Sequence, residues 1–103
     1  MTQIERITEM EKRLDSARAA LDSFSEALTS YAEVQEALRE LASYYESGEW
    51  RADFEDDEAG KLPADLKRGV LSEDAVYDLL TDNRELLTEM LETAADITKW
   101  GIA

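Results

Sequence analysis

Cysteine and histidine are both absent from the 103 residues. Without a thiol there is no disulfide, no thiolate nucleophile and no soft metal ligand. Without an imidazole the usual acid–base group for chemistry near neutral pH is missing. Proline occurs once, at Pro63, and glycine four times, with Gly48, Gly60 and Gly69 in the same stretch as the proline. The chain on either side of residues 48–71 is therefore free of helix breakers for long distances. Basic residues are few, 11 against 25 acidic, for a net charge of −14. That field repels nucleic acid and anionic membrane and attracts basic partners, so direct DNA or RNA binding is excluded. No window is apolar enough to span a bilayer, and residues 1–6 hold no secretory apolar core. The expected location is the cytoplasm.

What is present is enough for one small domain of modest core. Hydrophobic residues make up 44% of the chain, which is not a disordered composition. The acid excess is spread along it, at −5 for residues 1–47, −3 for 48–70 and −6 for 71–103.

Residues 2–47 carry a seven-residue apolar repeat. One column reads Ile7, Leu14, Leu21, Leu28, Gln35 and Ala42, the other Met10, Ala17, Phe24, Tyr31, Leu38 and Tyr45. Alternating steps of three and four predict a long helix with a coiled-coil seam. The expectation is one unbroken helix. Ser30-x-x-Glu33 fits a capping box and offers the alternative of a break near Ser30. Gln35, the one polar seam residue, either fixes register or marks where pairing loosens.

Residues 48–71 read as a compact connector. Gly48 is expected as the C′ glycine that ends the first helix. Trp50 and Phe54 put two rings on one side of a helical turn closed by Gly60, and Pro63 opens a second short turn stopped by Gly69. Tyr44, Tyr45, Trp50, Phe54, Leu62 and Leu66 are expected to plug the space between helix ends, with a ligand or partner pocket as the alternative. The acidic run Glu55-Asp56-Asp57-Glu58 does not fit an EF-hand: counted from Asp53, Glu58 stands at position 6 and Ala64 at position 12, and counted from Glu55, Ala59 stands at position 5 and Leu66 at position 12. It reads as solvated surface, so no metal and no cofactor are expected. Lys61, Lys67 and Arg68 could suggest a phosphate site, but Glu73 and Asp74 occupy the next helix start and oppose an anion there.

A second helix is predicted over residues 72–99, with Ser72 as N-cap and Leu71 stapling onto Val76. Its apolar face comprises Val76, Leu79, Leu80, Leu86, Leu87, Met90, Ala94, Ile97 and Trp100. Asp78, Asp82, Glu85, Glu89, Glu92 and Asp96 form a separate stripe over about 27 Å, by 18 steps of about 1.5 Å. It is either a solubilising face or a surface for a basic partner.

The fold class expected is all-α: long antiparallel helices joined by the connector, in a single domain over residues 1–103. Folding the second helix back over residues 20–47 leaves Ile4, Ile7, Met10 and Leu14 uncovered. Such a stripe either meets a second chain, giving a homo-oligomer, or folds back through a break near Ser30 as a three-helix bundle.

The stretch Tyr44-Tyr45-Glu46-Ser47-Gly48-Glu49-Trp50, followed by Asp56-Asp57-Glu58-Ala59-Gly60-Lys61-Leu62-Pro63-x-Asp65-Leu66-Lys67-Arg68-Gly69-Val70-Leu71-Ser72-Glu73-Asp74, resembles the bacterial family called domain of unknown function 4298. The likeness extends to about Leu80, and the start Ile4-Glu5-Arg6-Ile7-x-Glu9-Met10-Glu11 is also similar. The resemblance implies a small, mostly helical protein and supplies no activity, cofactor or catalytic residue.

The function expected is a non-enzymatic, acidic, helical protein–protein interaction module. Its candidate partner-binding residues are the six carboxylates and the four uncovered apolar residues. The alternative is an acidic nucleic-acid mimic that occupies the basic groove of a nucleic-acid-binding protein. A third reading is an enzyme using Asp56, Asp57, Glu58, Lys61, Lys67 or Tyr77, none of which the sequence sets opposite another.

Overall fold

A computed structural model gives the structure of the protein and describes residues 1–101. The all-α class is what it shows: four α-helices, one 3-10 turn and no strand among the described residues. The helices are α1 (Gln3–Glu33), α2 (Gln35–Glu46), α3 (Gly48–Glu58) and α4 (Ala75–Lys99), with the turn at Gly69–Leu71. The chain divides into two compact units, Met1–Glu36 and the residues from Ala37 onward.

In the first unit α1 starts at Thr2, whose extended backbone leaves its Oγ1 free to accept the Glu5 N–H at 3.1 Å. That bond satisfies one of the orphan donors of the first turn. Along the helix Glu9 pairs with Lys12 at 3.2 Å and with Arg13 at 3.5 Å, and Arg18 pairs with Asp22 at 3.2 Å. Pairs of this spacing contribute about 0.2–0.5 kcal/mol each. No residue of α1 is buried, so its 31 residues draw little on a buried core.

The expected unbroken helix over residues 2–47 is corrected to two helices. The pause comes at Val34, four residues after Ser30, which stays within α1. The Val34 N–H still reaches the Ser30 carbonyl, at 3.3 Å. The Tyr31 carbonyl accepts from the side-chain amide of Gln35, Nε2 at 3.0 Å. A carbonyl at a helix end needs a partner from outside the backbone ladder, and Gln35 supplies it. The polar residue in the seam thus marks the interruption.

In the second unit α2 ends on Ser47, whose N–H and Oγ both donate to the Tyr44 carbonyl, at 3.0 and 2.6 Å. Ser47 leaves in extended conformation and needs no left-handed residue after it. Gly48, expected as the C′ glycine of the first helix, is instead the first residue of α3. The left-handed glycine of the connector is Gly60, at φ 71°. There Gly60 N–H bonds to the Asp57 carbonyl at 3.0 Å and Lys61 N–H to the Asp56 carbonyl at 2.9 Å. This pair of bonds is a Schellman motif, and it stops α3.

α3 and α4 both pack on the turn Gly69–Leu71. Ser72 Oγ accepts the Ala75 N–H at 3.1 Å and so caps the entry to α4, whose regular helix begins three residues after Ser72. The buried core is small: Trp50 at 9% exposure, Leu71 at 6% and Val76 at 2%. Full burial of side chains like these contributes about 1.5–3 kcal/mol each, so this core is modest.

Candidate functional site

The connector is built around Trp50. Its indole Nε1 donates to the Val70 carbonyl at 2.9 Å, joining α3 to the turn twenty residues later. Tyr45 meets Trp50 edge-on with ring centroids 5.0 Å apart, and Phe54 stacks on it at 5.2 Å and 17°. Both geometries are favoured ones for aromatic pairs. Of the other residues expected in the plug, Tyr44 and Leu62 are half-buried and Leu66 stays exposed. Leu71 and Val76 take the centre instead.

Tyr44 turns its hydroxyl outward to Asp53, donating to Oδ2 at 2.6 Å. That hydrogen bond is the main reason its phenol is pushed up to about 12, with desolvation and the Asp53 and Glu49 charges adding to it. A phenol held protonated in this way is a donor and not a base.

Arg68 is the residue whose role the sequence concealed. Its guanidinium reaches Asp57 on α3 with Nη1, the Pro63 carbonyl with Nη2, and the Leu66 carbonyl with Nε at 3.3 Å. One side chain therefore closes the loop of residues 61–68 against α3, using the fork of donors that only arginine carries. Lys61 lies 3.9 Å from Asp56. So the acidic run, read as solvated surface, holds two half-buried carboxylates that neighbour cations, and Arg68 is committed to a loop clamp. A phosphate site would have to displace it. No distinctive spacing announces this clamp, because Asp57 and Arg68 meet only after Gly60 and Pro63 have turned the chain. Among the described residues, no three carboxylates converge to hold a metal ion.

The six carboxylates of α4 (Asp78, Asp82, Glu85, Glu89, Glu92 and Asp96) are all exposed. At about 100° per residue they fall within an arc of about 80°, a continuous negative edge. Asp96 has Lys99 at 3.8 Å, an exposed pair that offsets little of that charge.

The four apolar residues of the N-terminal stripe, Ile4, Ile7, Met10 and Leu14, are also exposed, and the stripe does not stop there. Leu21, Phe24 and Leu28 continue it along α1, so that the seam from Ile7 to Leu28 is 43–62% exposed at every large apolar position. A shallow hollow bordered by Ala20, Leu21, Phe24, Ser25 and Leu28 lies on this seam, formed by one helix and open to solvent. On α4, Leu79, Leu86, Leu87, Leu91 and Ile97 are exposed as well. Each of these apolar stripes is longer than a self-contained monomer usually leaves uncovered.

The profile of the family described as Domain of unknown function (DUF4298) matches residues 7–93. The chain belongs to the DUF4298 family. No curated protein and no solved structure matched it. The matched range takes in most of α1, all of α2 and α3, the Arg68 clamp, the 3-10 turn and most of α4. In this DUF4298 protein the connector and most of both exposed surfaces therefore lie within the family's domain, with Ile4, Asp96 and Ile97 outside the matched range. No helix among its described residues is long and apolar enough to cross a membrane.

Proposed function

We propose that this DUF4298 protein is a non-enzymatic, acidic interaction module of the cytoplasm whose working surface is the exposed apolar seam of α1, and whose ligand is protein. The observation that carries the reading is a helix of 31 residues with none buried and its apolar residues aligned on one face. A water-facing seam of leucine, isoleucine, methionine and phenylalanine is costly in isolation and favourable once covered. In the connector Arg68 is engaged with Asp57 and Tyr44 with Asp53, which suits a scaffold better than a catalytic centre.

The exposed carboxylate edge of α4 favours a second reading, in which that edge occupies the basic groove of a nucleic-acid-binding protein. Affinity capture from the native lysate, with Leu14→Glu and with a variant neutralising Glu85, Glu89 and Glu92, separates the two. On the first reading the partner resists 0.5 M salt and is lost with Leu14→Glu. On the second it is released by salt and by neutralisation, because the Debye length shrinks from about 10 Å at 0.1 M to about 3 Å at 1 M and exposed charges farther apart than this are screened. A partner indifferent to both variants overturns both readings.

A further inference from the structure

We infer that the occupant of the α1 seam is the same helix of a second copy, packed antiparallel so that two chains form a dimer about residue 19. This rests on the reading of the seam as the working surface and names its partner. Three observations carry it.

The first is the distribution of charge along α1. Its N-terminal half holds all four of its cations, Arg6, Lys12, Arg13 and Arg18, balanced by Glu5, Glu9, Glu11 and Asp15. Its C-terminal half holds Asp22, Glu26 and Glu33 and no base. A parallel pair sets the two purely acidic halves side by side. An antiparallel pair sets each acidic half against the half that bears the cations, twice over, and also opposes the helix dipoles. Arg18 meets its own copy near the symmetry axis, but each Arg18 is already paired with Asp22 at 3.2 Å.

The second is the order of side-chain sizes. Placing position 7 opposite 31 brings Phe24 against Leu14 and Ala17 against Leu21, so each layer joins residues of complementary bulk. The parallel pairing would oppose Ala17 to Ala17 and Phe24 to Phe24, a void next to a crowded layer. The hollow beside Ala20, Leu21, Phe24 and Ser25 is where the small flanking side chains let a facing helix approach.

The third is area. Six large seam side chains per copy, about half exposed, have on the order of 1,000–1,300 Å² to bury across the pair, near the lower limit of about 1,200 Å² for stable interfaces. A dimer with a dissociation constant in the micromolar range is expected.

The test uses the full chain at about 100 µM. Sedimentation equilibrium should give a dimer, and Leu14→Glu with Leu21→Glu should weaken it on the order of 100-fold or more, because four charges would be buried unpaired. Unchanged fluorescence of the buried Trp50 in that variant, made in a Trp100→Phe background, shows that the second unit remains folded. Orientation is read by spin labels on single cysteines, which this cysteine-free chain accepts without background. Labels at Gln3→Cys should lie about 48 Å apart, from 32 steps of about 1.5 Å, and labels at Ala20→Cys within about 20 Å. A monomer at this concentration overturns the proposal, as does a dimer indifferent to the double substitution, or labels at position 3 within about 20 Å. A monomer that still loses a salt-resistant protein partner with Leu14→Glu defeats the dimer alone and leaves the function proposed above standing.

Discussion

Removing Arg68 tests whether one side chain organises the connector. In Arg68→Ala the Asp57 carboxylate, 19% exposed at the side chain, keeps its place on α3 without its cation, and the Pro63 and Leu66 carbonyls lose a donor. A hydrogen bond to a charged group contributes about 1.5–3 kcal/mol, whereas a fully exposed ion pair contributes about 0–1 kcal/mol. The clamp lies between these limits, since Arg68 is itself 31% exposed and water can reach the vacated site. A loss of about 2 kcal/mol follows. Urea unfolding read by tryptophan fluorescence measures it, in a Trp100→Phe background so that only the buried Trp50 reports. With a slope of about 1–1.5 kcal/mol per molar urea, the midpoint should fall by about 1.3–2 M. Arg68→Lys should lose more than half of this, because the lysine ammonium cannot span three acceptors with fixed geometry. The double substitution with Asp57→Ala should be less damaging than the two single losses added together, by about 1 kcal/mol. An Arg68→Ala midpoint within about 0.3 M of the parent would refute the clamp. Strict additivity with Asp57→Ala would show that the two groups do not act as a pair.

Two further outcomes follow from local geometry. Gly60→Ala should destabilise by about 1 kcal/mol through the left-handed backbone alone, since a Cβ there meets nothing within 4 Å. Gly48→Ala, equally open but without a positive φ, should be neutral or slightly stabilising in the same urea experiment, and equal losses at both sites would contradict this. The Tyr44 hydroxyl should ionise near pH 12, read as the phenolate difference spectrum between the parent and Tyr44→Phe. Asp53→Asn should bring that midpoint down toward 10, because the largest contribution is the bond to Asp53. The sign of the linkage follows from a raised folded value. The stabilisation is complete below about pH 10 and disappears as pH climbs through about 12. An unchanged midpoint in Asp53→Asn would remove the hydrogen bond as its cause.

Much of this protein is written in short-range pattern. The heptad spacing from Ile7 to Leu28, the Ser72 cap with Leu71 and Val76 beside it, and the stripe from Asp78 to Asp96 all repeat every three or four residues. Helical geometry alone turns such spacing into faces. The all-α class and the separation of an apolar seam from an acidic edge follow without tertiary contacts. The pause at Val34 was not legible in the same way: the heptads run through it, the break on offer lay near Ser30, and Gln35 read as a register residue or a point of looser pairing. The bond from Gln35 to the Tyr31 carbonyl is what assigns it to its own backbone. At Gly48 the pattern offered a glycine to end the first helix, but Ser47 closes it instead. Ser47 prevailed because both its N–H and its hydroxyl reach Tyr44.

The connector is where tertiary structure decided. Trp50 to Val70 spans twenty residues, Asp57 to Arg68 eleven, and Tyr44 to Asp53 nine. Each of these pairs joins two different elements, so no helical repeat links the partners; composition could nominate aromatics for the centre but could not choose Leu71 and Val76 over Leu66. The chain has to close on itself at Gly60, Pro63 and Gly69 before Arg68 and Asp57 become neighbours. Burial and ion pairing depend on that closure, whereas the exposed faces of α1 and α4 depend only on the helical repeat.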